Sequence, residues 1–397
     1  MKNEKIKELL ERGVENVVVA KELEKKLKSG KKLRIKHGVD PTTKDLHIGY
    51  AVVYNKLKEF QDLGHTIIFL IGDFTARFGD PSDKEKSRQL RSKKEVRDLA
   101  KDYIKQLGTI LDIKKTEIRY NSEWYDKMSA EELLRLMSHF TNQQMLERDM
   151  FKKRLKSGEE IGLHEPVYPV LQGYDSVMLQ SDFTVIGNDQ TFNELKARDL
   201  QKDFGQIPQD VMSMKMLVGT DGKIKMSQSL GNYIGMSESP RDQYGKIMSI
   251  PDEAMIHYFT LATKVSDKEI KKIESDLKKG VNPRDIKMRL AREVVTLYHS
   301  KKEAEKAEEA FVNQFSKREL PEKIKEFKFS GGDWKLADII SDMGLTESKT
   351  EARRLIEQNA VKVDGAVISD REAVVGLKTG MVIQVGKRRF GKIKVTK

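Results

Sequence analysis

Leu33-Arg-Ile-Lys-His-Gly-Val39 alternates like a strand, Asp40-Pro-Thr-Thr43 makes a turn, and Leu46-His-Ile-Gly-Tyr50 opens a helical periodicity from Ile48 to about Leu63. Thr66-Ile-Ile-Phe-Leu-Ile-Gly72 follows as a continuous apolar run, the pattern of a strand buried on both faces. Strand, helix, strand at this spacing predicts a parallel sheet with crossover helices. Thr116–Tyr120 and Phe183–Gly187 read as further strands of it. Where the first strand hands over to its helix, backbone N–H groups and the helix dipole favour phosphate. His47 can add a donor there, and Gly49 removes a side chain where a flat base could lie. Alone, a His at a helix start reads more simply as a capping or surface residue.

Outward from this stretch, residues 1–30 read as a helix ending in the turn Ser29-Gly30-Lys31-Lys32. After about Pro240 the composition shifts, and 241–325 is Lys- and Glu-rich amphipathic helix. Phe329-Ser-Gly-Gly-Asp333 reads as a linker. Beyond it come a helix from Lys335, a break at Gly344, a helix over Glu347–Gln358, and short strands at Val361–Gly365 and Met381–Val385. The expected organisation is an α/β domain over 1–238, a helical domain over 239–328 and a small α+β tail over 329–397.

The 397 residues allow a large core, and 38% hydrophobic with 34% charged residues is a globular composition, not a disordered one. No apolar run reaches the ~18 residues of a membrane helix. The charged amphipathic start is unlike a cleavable signal. Zero cysteines exclude disulfides, a zinc finger and a thiol nucleophile, and fit a reducing cytoplasm. A net charge of +12 points weakly to a polyanionic partner.

Two further elements carry chemistry. Gly222-Lys-Ile-Lys-Met-Ser-Gln-Ser-Leu-Gly-Asn232 is a Gly-flanked loop whose Lys223, Lys225, Ser227 and Ser229 suit closure over phosphates; in isolation it is a solvated loop. Tyr168, Gln172 and Asp175 are spaced to share one helix face, with Pro166 and Pro169 at its start and Gly173 permitting close approach to the backbone. Three polar groups on such a face suit a polar ligand, or else an exposed surface.

His47-Ile-Gly-Tyr50 and Lys225-Met-Ser-Gln-Ser229 together resemble the HIGH and KMSKS signatures of class I aminoacyl-tRNA synthetases. The subgroup resembled is bacterial tyrosyl-tRNA synthetase. Ordered blocks carry the likeness: Lys36–Thr43, Ile71–Thr75, Gly79–Ser82, Tyr120–Trp124, Gln144–Arg148, Gly187–Gln190 and Lys225–Ile234. It implies a Rossmann-like doubly wound catalytic domain, a helical middle, and an RNA-binding tail of the kind found in a ribosomal protein.

The resemblance also implies roles. His47, Gly49, Tyr50, Asp189, Lys225, Ser227 and Gln228 would bind ATP, with Lys84 and Arg88 in a mobile basic loop at its pyrophosphate. Tyr168, Gln172 and Asp80 would hold the amino group of tyrosine, Asp175 its phenol hydroxyl and Gln190 its carboxylate, with Asp40 in the same crevice. The family's other phenol partner is a Tyr; here that position is Lys36. Tyr50 and Gln228 replace the second His and second Lys of the signatures, and Gln228 supplies no charge. In the tail, Lys349, Arg353, Arg354, Lys387, Arg388 and Arg389 would meet tRNA, in a region with 13 Lys/Arg against 9 Asp/Glu.

What the resemblance implies is a tyrosine–tRNA ligase of protein biosynthesis. It would be cytoplasmic and homodimeric through the region of Asn142–Met150, would use ATP with accompanying Mg²⁺, and would have no metal site or membrane contact of its own. Two other readings stand beside it: a tryptophanyl-tRNA synthetase of the same fold, and a catalytically weak RNA-binding paralogue, motivated by Tyr50 and Gln228.

Overall fold

The computed structural model describes residues 3–41, 45–79, 91–316, 324–386 and 389–396. The chain divides into two compact units, Met1–Ala310 and Phe311–Lys397.

The first unit is built on six strands: β1 (Val14–Val18), β2 (Arg34–Val39), β3 (Thr66–Ile71), β4 (Thr116–Tyr120), β5 (Phe183–Gly187) and β6 (Asp210–Met214). Their order across the sheet is β1-β6-β5-β2-β3-β4. All neighbours are parallel except β1 against β6. The apolar run of β3 is buried throughout from Ile67 to Ile71, as a strand covered on both faces requires.

From β2 the chain winds one way to β3 and β4, and later the other way to β5 and β6. The crevice beyond the carboxyl ends of β2 and β5 is therefore the switch point at which doubly wound sheets bind ligands. It opens early: β2 and β3 stay paired from Arg34 to Val39, whereas the β2–β5 register runs only over Ile35 and Lys36. The buried His37 ring spans the widening gap, its Nδ1–H donating to the Val185 carbonyl at 2.7 Å. Burial pushes its pKa down to about 4.

The sequence expectation fails in three places. Residues 1–30 are not one helix but helices Asn3–Glu11 and Ala20–Lys28 with β1 between them. Gly13, at φ 69°, breaks the first helix, and Val14, Val17 and Val18 are the β-branched residues a strand favours. Strand β6 lay unread because its residues are buried throughout and show no period to separate strand from helix. The linker at Phe329–Asp333 is mostly strand. Phe329 lies in β7 (Glu326–Ser330), which pairs in parallel with strand Arg389–Thr396, and only Gly331 and Gly332 form a bend.

Polar-amphipathic sequence after Pro240 does form helices, at Pro240–Ser249, Met255–Ala262, Asp267–Lys278, Pro283–Tyr298 and Lys301–Ser316. In the second unit, β7 is followed by β8 (Asp333–Lys335), β9 (Val361–Val363), β10 (Ala366–Ile368), β11 (Val374–Gly376), β12 (Val382–Val385) and β13 (Arg389–Thr396). They form a five-stranded sheet, β10-β9-β12-β13-β7, and the pair β11-β8. Helices Leu336–Asp342 and Lys349–Glu357 bury Leu336, Ile340, Ala352 and Ile356 against Val361, Ile383 and Ile393, a separate core.

Candidate active site

His47 is the N-cap of helix Ile48–Asp62, and its Nδ1 accepts the Gly49 N–H at 3.2 Å. That bond assigns the ring proton to Nε2, the free-standing donor. Burial, then the charge of Lys225, pushes the His47 pKa down to about 4, so the ring is neutral at physiological pH. A Cβ on Gly49 would lie 2.8 Å from His47 Nδ1, so only glycine leaves the cap undisturbed. Tyr50 stacks on His47, ring centroids 4.3 Å apart.

The Gly-flanked loop lies against this helix start. Ile48 N–H donates to the Ile234 carbonyl at 2.9 Å, and Met236 N–H to that of Leu46 at 2.8 Å. Lys225 Nζ reaches Asp189 at 2.9 Å, and Gln228 Nε2 donates to the Asp45 carbonyl at 2.5 Å. Asn232 holds the loop from inside, accepting Ser227 N–H at 2.9 Å and donating to Asp221 at 2.5 Å. Ser227 and Ser229 share a hydrogen bond at 2.9 Å. Two segments far apart in sequence thus converge beside the switch point, with a neutral imidazole donor and a lysine.

Tyr168, Gln172 and Asp175 all lie on helix Tyr168–Leu179. The Tyr168 hydroxyl donates to Asp40 Oδ2 at 2.9 Å, and Thr75 donates to the other oxygen of Asp40 at 2.8 Å. A Cβ on Gly72 would fall 1.9 Å from Asp40, so this carboxylate occupies the space glycine leaves. Asp175 is buried and receives Trp124 Nε1–H at 3.0 Å and Asn121 Nδ2–H at 3.5 Å. Burial pushes its pKa up to about 7, against the pull of Lys36 and of the donors Tyr125, Trp124 and Asn121. Gln190, in the turn after β5, accepts Asn193 Nδ2–H at 3.1 Å.

Gly173 permits the expected close approach to its backbone, and what approaches is a neighbouring helix. A Cβ there would meet Leu200 at 2.9 Å and the Ala197 backbone at 3.3 Å, so its approach serves packing of helix Thr191–Asp203. Asp80, Lys84 and Arg88 lie outside the described residues, as do Lys387 and Arg388. Glu194 was missed from the sequence. Its signal was Lys36: a lysine in the middle of a buried strand needs an acid, and Glu194 is that acid at 3.0 Å.

In the second unit, Lys349 pairs with Asp338 at 3.0 Å and Arg353 with Glu372 at 3.7 Å. Arg389 donates to the Leu345 carbonyl at 2.5 Å, and Arg354 is exposed. Such half-exposed pairs are worth little and exchange readily for phosphate.

Residues 28–316 match the family of tRNA synthetases class I (W and Y), and residues 334–380 match the S4 domain. Over 386 residues, 97% of both chains, the protein is 46% identical to tyrosine–tRNA ligase 2 of Vibrio parahaemolyticus. It is 47% identical, at the same coverage, to tyrosine–tRNA ligase of Haemophilus ducreyi. The chain belongs to the tyrosyl-tRNA synthetase family. Among solved structures, the C-terminally truncated mitochondrial tyrosyl-tRNA synthetase of Aspergillus nidulans superposes with a TM-score of 0.63 at 25% identity. That likeness covers 78% of this chain and 94% of the other. Membership of a class I synthetase family accounts for the architecture at the switch point, and it implies use of ATP. Among the described residues, no helix is long and apolar enough to cross a membrane, and no cluster of three or more His, Asp or Glu could hold a metal ion.

Proposed function

We propose that this synthetase is a tyrosine–tRNA ligase whose amino-acid site is the face formed by Asp40, Tyr168, Gln172, Asp175 and Gln190. One observation carries the assignment: Asp175 is a buried carboxylate on the helix face of Tyr168 and Gln172, with Trp124, Tyr125 and Asn121 beside it. A phenol hydroxyl suits such an acceptor; an indole N–H would suit it too, so the choice of tyrosine over tryptophan is supported by the likeness to tyrosine–tRNA ligases over 97% of the chain.

The tyrosine carboxylate attacks the α-phosphate of ATP, forming the tyrosyl-adenylate and releasing pyrophosphate; the terminal ribose of tRNA(Tyr) then takes the tyrosyl group and AMP leaves. No covalent enzyme intermediate is required. The chain's work is orientation and charge stabilisation. Gln190 holds the carboxylate, Tyr168 and Gln172 the ammonium, and Asp80 assists. His47 Nε2–H and the loop cations Lys225 and Lys223 meet the phosphates, with Lys84 and Arg88 at the pyrophosphate; Mg²⁺ arrives with the ATP. For ATP to take up Lys225, the lysine must leave Asp189, which then serves the ribose. The basic surface of the second unit, with Lys349, Arg353, Arg354 and Arg389, holds the tRNA.

Two further features belong to this reading. Leu134, Leu155 and Leu163, on segments flanking Asn142–Met150 in sequence, are each exposed, which suits contact with a second copy of the chain. The absence of cysteine suits the cytoplasm.

ATP–pyrophosphate exchange with tyrosine, tryptophan and phenylalanine tests the proposal. Exchange with tyrosine alone is expected. Exchange with tryptophan alone would assign the other amino acid, and no exchange with any would leave RNA binding as the chain's activity.

A further inference from the structure

Behind the proposed amino-acid site lies a hydrogen-bonded cluster that has no assigned role. Glu194 on helix Thr191–Asp203 is 1% exposed, and so is Lys36 on β2. Glu194 Oε1 receives Lys36 Nζ at 3.0 Å and Gln172 Nε2 at 2.8 Å, and Oε2 receives Gln209 Nε2 at 2.6 Å. Lys36 also donates to Ser176 at 2.5 Å. The other end of the Gln172 amide is held as well: Oε1 accepts Asn193 Nδ2 at 2.7 Å.

A primary amide can be placed two ways round, and surroundings normally choose weakly between them. Here one choice is forced. Turning Gln172 over would set its carbonyl against the Glu194 carboxylate and its NH₂ against the NH₂ of Asn193. An ionised carboxylate only accepts, so it cannot adapt to the turned amide. Lys36, paired with Glu194 at 3.0 Å, is the counter-charge at this depth.

We propose that Glu194 is a positioning residue that fixes Gln172 carbonyl-outward for the substrate's ammonium, with Lys36 as its buried counter-ion. The inference rests on the amino-acid site proposed above. It also gives the lysine at this β2 position a purpose: it supports ammonium recognition through Glu194 and does not itself meet the phenol.

The decisive variant is Glu194→Gln, which keeps size but can itself turn over and accept either orientation of Gln172. Tyrosine should lose affinity by about tenfold, the scale of one charge-assisted hydrogen bond, with the KM for ATP unchanged. The loss should be confined to ligands with an ammonium. Parent enzyme should bind tyrosinol better than 3-(4-hydroxyphenyl)propanol, which lacks the amino group, and Glu194→Gln should shrink that preference by about the same tenfold factor. Added to Gln172→Ala, it should cost nothing more. Because Glu194→Gln leaves Lys36 unpaired, the neutral pair Lys36→Met with Glu194→Gln is measured alongside and should show the same loss of ammonium preference. An intact preference in either folded variant, or additive losses with Gln172→Ala, overturns the inference. A parent that supports no tyrosine-dependent exchange overturns the site assignment instead.

Discussion

Gln228 and Asp45 are joined by a hydrogen bond that closes the signature loop onto the start of the His47 helix, side-chain amide to backbone carbonyl at 2.5 Å. The residue that brings a second charge to this loop elsewhere in the family here brings a neutral latch. Ser237 adds a second tie to Asp45, at 3.1 Å.

Restoring the charge should speed the chemistry. A charge-assisted contact to the departing pyrophosphate contributes about 1.5–3 kcal/mol. Gln228→Lys should therefore accelerate single-turnover adenylate formation by roughly one to two powers of ten, with tyrosine affinity of the ATP-free enzyme unchanged. An unchanged rate would mean that Lys223 and the basic loop already supply the charge.

His47 should act as a neutral donor throughout the working range. With its pKa near 4, adenylate formation should show no inflection from this residue between about pH 6 and 8. His47→Ala should slow the chemical step on the order of 10²-fold while changing ATP affinity much less, because the contact matures in the transition state. Stopped-flow rates over ATP concentration separate the two. Equal losses in rate and affinity would demote His47 to a ground-state binder.

Asp175 should set both selectivity and a pH-dependent instability. Tyrosyl-tRNA synthetases as a class reject phenylalanine by ~10⁵ without editing, and Asp175→Ala should collapse that ratio here. The folded pKa of about 7 lies above the unfolded value of 3.8, so the folded state holds the extra proton between those values. Stability from this group is thus present below about pH 4 and lost as pH rises through 7, by up to about 4 kcal/mol. Denaturant unfolding at pH 5 and pH 8 should show Asp175→Asn gaining on the parent at the higher pH. Parallel pH dependences would place the titration elsewhere.

Activation and transfer should separate with the two units. Ending the chain at Ser316, where helix Lys301–Ser316 and the synthetase match both stop, should leave tyrosyl-adenylate formation nearly intact. Transfer to tRNA should fall steeply, and residual RNA binding should depend less on salt. A cut after Phe329 would instead leave part of β7 behind without β13 to pair with. Full charging by the shorter chain would remove the tail from tRNA binding.

The legible parts of this molecule were those with a local signature. β2, helix Ile48–Asp62 and β3 announce themselves by alternation, periodicity and an unbroken apolar run. What stayed hidden depends on distant partners. β1 gains its pairing only from β6, and Phe329 becomes strand only because β13 arrives beside it. The site divides in the same way. Motif residues mark the convergence of His47 with Lys225, whereas Glu194 carries no motif and is recognisable only as the acid that Lys36 demands.

The parallel pairing of β7 with β13 also sets an order of events during synthesis. β7 waits for β13, so that sheet cannot close until the residues of β13 have left the ribosome. The six-stranded sheet is complete at Met214, and its unit ends at Ala310. A nascent chain can therefore assemble the nucleotide crevice while its RNA-binding part is still unfolded.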